Sequence, residues 1–134
     1  MAGNLRARLN FQRGRIEDAE GEFVHTLLLS VGLHYEEGVA YGLEGVCAVA
    51  AAHGEAWRAA ALAVAAGEIR RRIGIFDVEA FTVHTPYLEI LRGRDPQSVE
   101  AGEIAGAELT VAEALQVALP EHEYETVAET LRAW

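Results

Sequence analysis

Apolar residues recur every three or four positions along most of this chain, which is the spacing of one face of an α-helix. Segment 37–74 shows the pattern most clearly, as two such stretches on either side of Gly54. Gly54 and, at the far end, Gly74 suit the position just past a helix end, where a positive φ is needed and glycine carries no steric penalty. The segment therefore predicts an antiparallel helical hairpin. Its two apolar stripes are Val39, Leu43, Val46 and Ala50 in the first helix and Leu62, Ala66, Ile69 and Ile73 in the second.

A second hairpin is predicted upstream, over residues 1–32, with its turn at Gly14. Gly14 and Ala19 lie 40 residues before Gly54 and Ala59, respectively. Helical hairpins repeated at about this period are typical of α-solenoids. No strand-like alternation competes with the helical pattern, so we expect an all-α fold of about seven or eight helices, with antiparallel hairpins stacked as a short solenoid. The predicted organisation is a single domain, 1–134, made of the first hairpin (1–32), the second hairpin (36–74) and a helical tail (77–134).

The remaining predictions concern the tail. Pro86 falls inside a helical pattern that Asp77 can cap, so we expect a break and a new helix beginning at Pro86. Segment 93–96 is predicted to be a turn, and Val99 and Ile104 mark the next helix. Beyond it, Thr110-Val-Ala-Glu113 is a capping box that opens a helix with an apolar stripe, and the helix after Pro120 carries another stripe. These two helices form the C-terminal pair.

With both hairpins laid out, the chain resembles tetratricopeptide repeats. The family's pattern has a turn glycine, an aromatic residue, a packing alanine and a second aromatic residue. In the first hairpin these positions hold Gly14, Ile16, Ala19 and Phe23. In the second hairpin the match is looser, with Gly54, Ala56, Ala59 and Ala66. Segment 43–74 is similar to the C-terminal repeat region of large bacterial signal-transduction ATPases and LuxR-type transcriptional regulators. Segment 106–119 looks like the last helix of that region. The chain departs from the pattern at Glu103, where the family usually has tryptophan.

The resemblance implies a sensor or scaffold module without the ATPase and DNA-binding parts of those regulators. A phosphate-binding loop needs a lysine, and this sequence contains none. The absence of lysine also excludes a lysine nucleophile or Schiff base. We therefore expect a chain that neither hydrolyses ATP nor reads DNA in the usual way.

The formal net charge is −10, with arginine as the basic residue type. Nucleic acids and anionic membranes need a basic face, so the charge argues against both as direct partners. The single cysteine, Cys47, lies on an apolar helix and is interpreted as a small buried hydrophobe. With no internal disulfide possible, no signal core and no long apolar run, we expect a cytoplasmic protein that is not exported.

The favoured function is a non-catalytic protein–protein interaction or scaffold module, whose binding face is formed by the first helix of each hairpin. The candidate groove residues are polar or amphipathic positions on these helices: Asn10, Arg13, Tyr41, Glu44 and His53. Glu44 also has a structural interpretation, with Arg58 or a neighbouring backbone group as its partner. The spacing Glu22-x-x-His25 occurs in di-iron bundles, but no second copy is present, so we expect no metal and no cofactor.

Two alternatives remain open at this level. One is a small-molecule sensor or enzyme with a pocket between the central hairpin and residues 81–91, where Glu44, His84 and Tyr87 would converge. The other is a domain remnant that relies on a separately encoded ATPase. Because a short solenoid leaves apolar end faces, we also expect a homodimer that buries either the first helix or the C-terminal pair.

Overall fold

The computed structural model describes residues 2–74 and 85–134, with side chains from residue 6 and, in the second range, from residue 86. These residues contain no strand, and the all-α prediction is confirmed. The structure also confirms antiparallel helical hairpins. The helices are α1 (Ala2–Gln12), α2 (Ile16–Gly32), α3 (Glu36–Ala52), α4 (Ala56–Ile73), α5 (Thr85–Arg94), α6 (Pro96–Glu108), α7 (Val111–Ala118) and α8 (Glu121–Leu131).

The first four helices are joined by three turns of the same construction. Gly14, His34 and Gly54 lie at 20-residue intervals and have positive φ values of 80°, 52° and 78°. Each donates its N–H to the carbonyl three residues earlier, and the next residue bonds the carbonyl five residues before it. This Schellman pattern closes α1, α2 and α3 in the same way. The prediction at Gly14 and Gly54 is confirmed; at the middle turn, however, a histidine rather than Gly32 takes the positive φ.

Glycines on α3 allow α2 to pack closely against it. A Cβ atom added at Gly38, Gly42 or Gly45 would overlap the side chains of residues 30, 27 and 23 of α2, respectively. These glycines follow one another at +4 and +3, so they share one face of α3. The α2–α3 contact therefore depends on glycine as well as on the apolar stripes.

Helix α4 lies between α3 and α6 and packs extensively on both. On the α6 side, Gly102 and Gly106 bring that helix against the backbone of α4: an added Cβ at Gly106 would lie 2.5 Å from the carbonyl oxygen of Ala61. Val99 is fully buried, as expected for the apolar face, but Ile104 is 62% exposed. Both residues lie in α6, as predicted, and Ile104 is exposed because the buried face of α6 runs along Val99, Gly102 and Gly106.

Side-chain caps define the beginnings of α6 and α7. The Asp95 carboxylate accepts the N–H of Ser98 at 3.2 Å, so the predicted turn over 93–96 is reduced to this one residue between α5 and α6. The capping box predicted at Thr110 and Glu113 is present in full. The predicted helix start near Pro86 agrees with α5, whereas the helical pattern beginning at Asp77 lies outside the described residues.

Helices α7 and α8 fold back over the hairpins, α7 on α4 and α3 and α8 on α2. Arg58 of α4 donates to the carbonyl oxygens of Val117 (2.9 Å) and Ala118 (3.0 Å) at the end of α7. After α8, the Trp134 indole stacks on His34 in the α2–α3 turn, with ring centroids 4.3 Å apart. The apolar stripe of this pair is buried within the chain. Its members are Ala114, Leu115, Ala118, Leu119, Val127 and Leu131.

Candidate binding site

The structure brings together two of the five groove residues that the sequence indicated, Tyr41 and Glu44 of α3. Both contact Arg70 of α4. With Glu37, which accepts a hydrogen bond from Tyr41, they form what we call the Tyr41 cluster: Glu37, Tyr41, Glu44 and Arg70. The cluster lies between the two helices of the central hairpin.

Glu44 and Arg70 form a buried ion pair. Arg70 Nη2 lies 2.6 Å from Glu44 Oε1, and Arg70 Nε lies 3.2 Å and 3.1 Å from the two carboxylate oxygens. The two side chains are only 11% and 9% exposed, respectively. Burial raises the pKa of Glu44 above its usual 4.5, against the opposing effect of the Arg70 guanidinium. The pKa of Arg70 is also raised, because its burial is outweighed there by the Glu44 carboxylate and Tyr41 together.

The structural interpretation of Glu44 thus had the wrong partner. Arg58 does not reach Glu44; it holds the end of α7 and an exposed carboxylate, Glu55, 3.2 Å away. Arg70, in the last turn of α4, was not identified from the sequence as the partner of Glu44. The sequence contains one indication that Arg70 points inward, because Arg70 directly follows Ile69 of the apolar stripe. This position alone, however, does not distinguish Arg70 from the other arginines of α4.

Tyr41 forms the partly exposed edge of the cluster. Its hydroxyl donates to Glu37 Oε1 at 2.6 Å, and the Arg70 guanidinium lies 4.6 Å from the centre of its ring. Burial and the Glu37 carboxylate raise the pKa of Tyr41 to about 12, so the hydroxyl remains a hydrogen-bond donor at neutral pH. Tyr35 donates to the other oxygen of Glu37 at 3.0 Å. The Tyr41 cluster thus presents the edge of an aromatic ring and the Glu37 carboxylate, which already accepts two hydrogen bonds, on the packed helices α3 and α4.

Asn10 lies apart from the cluster, in the contact between α1 and α2. Its amide donates to Glu22 at 2.7 Å, and Arg6 donates to the same carboxylate at 3.0 Å. The Glu22 carboxylate is therefore committed to α1, and His25 three residues later is exposed. Among the residues described, no three histidine, cysteine, aspartate or glutamate side chains are grouped to hold a metal ion.

Arg13 and His53 lie at the turn end of the hairpins, and both are exposed. His53 lines an open cleft of about 430 Å³ together with the Gly14 turn and the first residues of α2, including Glu17 and Asp18. The five predicted residues therefore belong to three separate places rather than to one groove.

The alternative pocket predicted near residues 81–91 includes Tyr87, which lies in the described part of the chain. Tyr87 of α5 packs edge-on against Phe11 of α1, with ring centroids 5.1 Å apart. The Glu44 carboxylate pairs with Arg70 of α4. His84 and Phe81 lie outside the described residues, so the convergence predicted for this pocket stays a prediction.

Cys47 is fully buried and its Sγ donates to the carbonyl oxygen of Ala59 at 3.1 Å. Burial raises the pKa of the thiol, which keeps it protonated, as the sequence interpretation of a small hydrophobe predicts.

No helix in the ranges 2–74 and 85–134 has both the length and the apolar character required to cross a membrane. Comparisons of the chain with protein-family models, curated proteins and solved structures found no match.

Proposed function

We propose that this chain is a non-catalytic helical-repeat module that binds a protein partner, as a scaffold within a cytoplasmic transcriptional or signalling regulator. The observation that carries the proposal is the regular stacking of α1 to α4 through three equivalent turns. Arrays of this kind present extended surfaces on which partner chains bind. The resemblance to tetratricopeptide repeats and to LuxR-type regulators supports the same function.

The binding face in this proposal is the surface of α1 and α3 around the Tyr41 cluster. Tyr41 is partly exposed there, and Tyr35 adds a second exposed aromatic ring next to the same carboxylate. Tyrosines with a fixed orientation are favourable contact residues, because they bring a large area with little conformational freedom to lose. The buried Glu44–Arg70 pair holds this face in place without taking part in the contact.

Site-specific photo-crosslinking tests the proposal in cells that express the chain. A photoreactive phenylalanine analogue replaces Tyr41 in one variant and Gln116, on the exposed face of α7, in the control variant. We expect one reproducible protein adduct from position 41 that is absent from position 116. If positions 41 and 116 give the same adducts, or position 41 gives none, this face is not the binding surface.

We also propose a homodimer, through α1 rather than through the C-terminal pair. The stripe of the C-terminal pair is buried inside the chain, whereas Leu9 on the outer side of α1 is 40% exposed. Exposed Arg6 and Arg13 surround it, so this face is less apolar than a solenoid end was expected to be. Light scattering over a wide concentration range should give a dimer mass that Leu9→Arg lowers to that of a monomer. A monomer mass for the unmodified chain would overturn the dimer.

A further inference from the structure

A second concave site lies at the opposite end of the central hairpin from His53. We call it the Trp134 groove. It has a volume of about 560 Å³, which is within the usual range for small-molecule sites. Its walls come from the start of α3, the end of α4, the first turn of α7 and the end of α8. Its lining includes Glu36, Arg72, Val111, Ala112, Leu131 and Trp134.

One wall of the groove is apolar. Leu131 and Trp134 form it on the α8 side, and Val111 and Ala112 continue it on α7. The stacking of Trp134 on His34 fixes the plane of the indole. This wall suits a hydrocarbon chain or ring, because covering apolar surface is favourable wherever the shapes match.

The polar groups of the groove are mainly hydrogen-bond donors. Arg72 uses one nitrogen on Glu36, at 2.9 Å, while a guanidinium has five N–H donors. The capping box uses the N–H groups of Thr110 and Glu113. The N–H groups of Val111 and Ala112 belong to the first turn of α7, so they have no acceptor within that helix.

The indole nitrogen of Trp134 is not one of these donors. It is shielded from solvent and has no acceptor within the described part of the chain. A ligand oxygen is about as large as a water molecule and does not reach this nitrogen, so Trp134 contributes only apolar surface to the groove. The acidic side chain in the wall, Glu36, is neutralised by Arg72, and the excess of donors favours a ligand with acceptor oxygens.

We propose that the Trp134 groove binds a small amphipathic carboxylate, with its carboxylate between Arg72 and the first turn of α7 and its hydrocarbon body on Leu131 and Trp134. The proposal is independent of the protein partner proposed above. It also differs in place from the pocket that the sequence suggested near residues 81–91.

The chain has two tryptophans, so Trp57→Phe leaves Trp134 as the sole fluorescent indole. This variant is titrated with octanoate below its micelle concentration and, in parallel, with octanol, octylamine and inorganic phosphate. Isothermal calorimetry follows the same titrations. We expect saturable binding of octanoate with a change in Trp134 emission, weaker binding of octanol, and none of octylamine or phosphate.

Two neighbouring arginines provide a matched control. Arg72→Gln should weaken octanoate binding roughly tenfold or more, since it removes a charged hydrogen-bond donor. Arg71→Gln should leave it unchanged, because the Arg71 side chain is 66% exposed and bonds Glu68 outside the groove. Ala112→Glu, which adds a carboxylate to the first turn of α7, should abolish octanoate binding and gives an independent variant if Arg72→Gln fails to fold.

Four results would overturn the proposal: no binding heat and no emission change with octanoate, octanol binding as tightly as octanoate, preferential binding of octylamine, or equal losses from the Arg71 and Arg72 variants. Binding of phosphate alone would also overturn it, since it would show an anion site without an apolar component.

Discussion

The two halves of the molecule are both helical but are put together differently. Helices α2, α3 and α4 have 17, 17 and 18 residues, and the turns that precede them share one pattern of hydrogen bonds. Helices α5 to α8 have 8 to 13 residues and no common turn. They are held by individual contacts, such as Arg58 with the end of α7 and Gly102 with α4. Local repetition builds the first half, whereas long-range contacts place the second.

Ion pairs show the same difference. Glu44 and Arg70 are buried between α3 and α4. In the second half, Arg92 of α5 and Glu103 of α6 form two parallel hydrogen bonds of 3.1 Å and 3.0 Å in a much more exposed setting. A buried pair cannot lose one member without leaving an uncompensated charge, while an exposed pair is readily replaced by water.

The largest expected effect comes from breaking the buried pair. Glu44→Ala or Arg70→Ala should lower the free energy of unfolding by about 3 to 5 kcal/mol, because the remaining charge would be buried alone. Urea unfolding followed by circular dichroism measures this. Arg92→Ala is the matched control and should cost at most about 1 kcal/mol. Equal losses at the two sites would contradict the distinction between the halves.

The next effect tests close helix packing in the second half. Gly102→Ala places a Cβ against the Trp57 carbonyl oxygen, a backbone atom that cannot turn aside, and should destabilise the chain by about 1 to 3 kcal/mol. Gly67→Ala on α4 meets no atom within 4 Å and should stabilise it by about 0.5 to 1 kcal/mol. Thermal unfolding of both variants gives the comparison. A tolerated Gly102→Ala would mean that α6 can move away from α4 at little cost.

A smaller effect concerns the contact that joins the two halves at the α2–α3 turn. His34 has a positive φ that glycine would adopt without strain, yet its ring stacks on Trp134. A double-mutant cycle with His34→Gly and Trp134→Ala should give a coupling energy of about 0.5 to 1.5 kcal/mol. His34→Gly should stabilise the chain once Trp134 is absent, since relief of strain is then the main effect left. Additive effects in the cycle would show that the stacked rings do not hold α8.

The smallest effect is in the pH dependence, where the two carboxylates have opposite signs. The Arg92 guanidinium lowers the pKa of Glu103 below 4.5, so its contribution to stability is present above that pH and is lost as the pH falls through the folded-state pKa. Burial raises the pKa of Glu44, so its contribution is fully present below pH 4.5 and declines as the pH rises through the folded-state pKa. The stability of Glu103→Gln and Glu44→Gln relative to the unmodified chain, measured across pH 3 to 7, should follow these opposite trends. Parallel trends would show that the pKa values of Glu103 and Glu44 are not shifted in opposite directions.

The features that were predictable are those encoded within one or two turns of helix. Gly14, Gly54 and the Thr110–Glu113 capping box each depend on residues a few positions apart, and all three were found as expected. The candidate site was less predictable. Of five groove residues, only Tyr41 and Glu44 came together, because the partner that joins them, Arg70, comes from another helix.

The sequence by itself determined the helices, the ends of most of them and the burial of Cys47, because these follow from periodicity, glycine conformations and caps. Only the tertiary structure decided that Arg70 rather than Arg58 pairs with Glu44, that Ile104 points to solvent, and that the C-terminal pair closes over the hairpins. The physical reason is that periodicity defines which residues share a face of a helix. Which face meets which neighbour depends on the rotation and crossing of whole helices, and these are set by contacts between residues far apart in the chain.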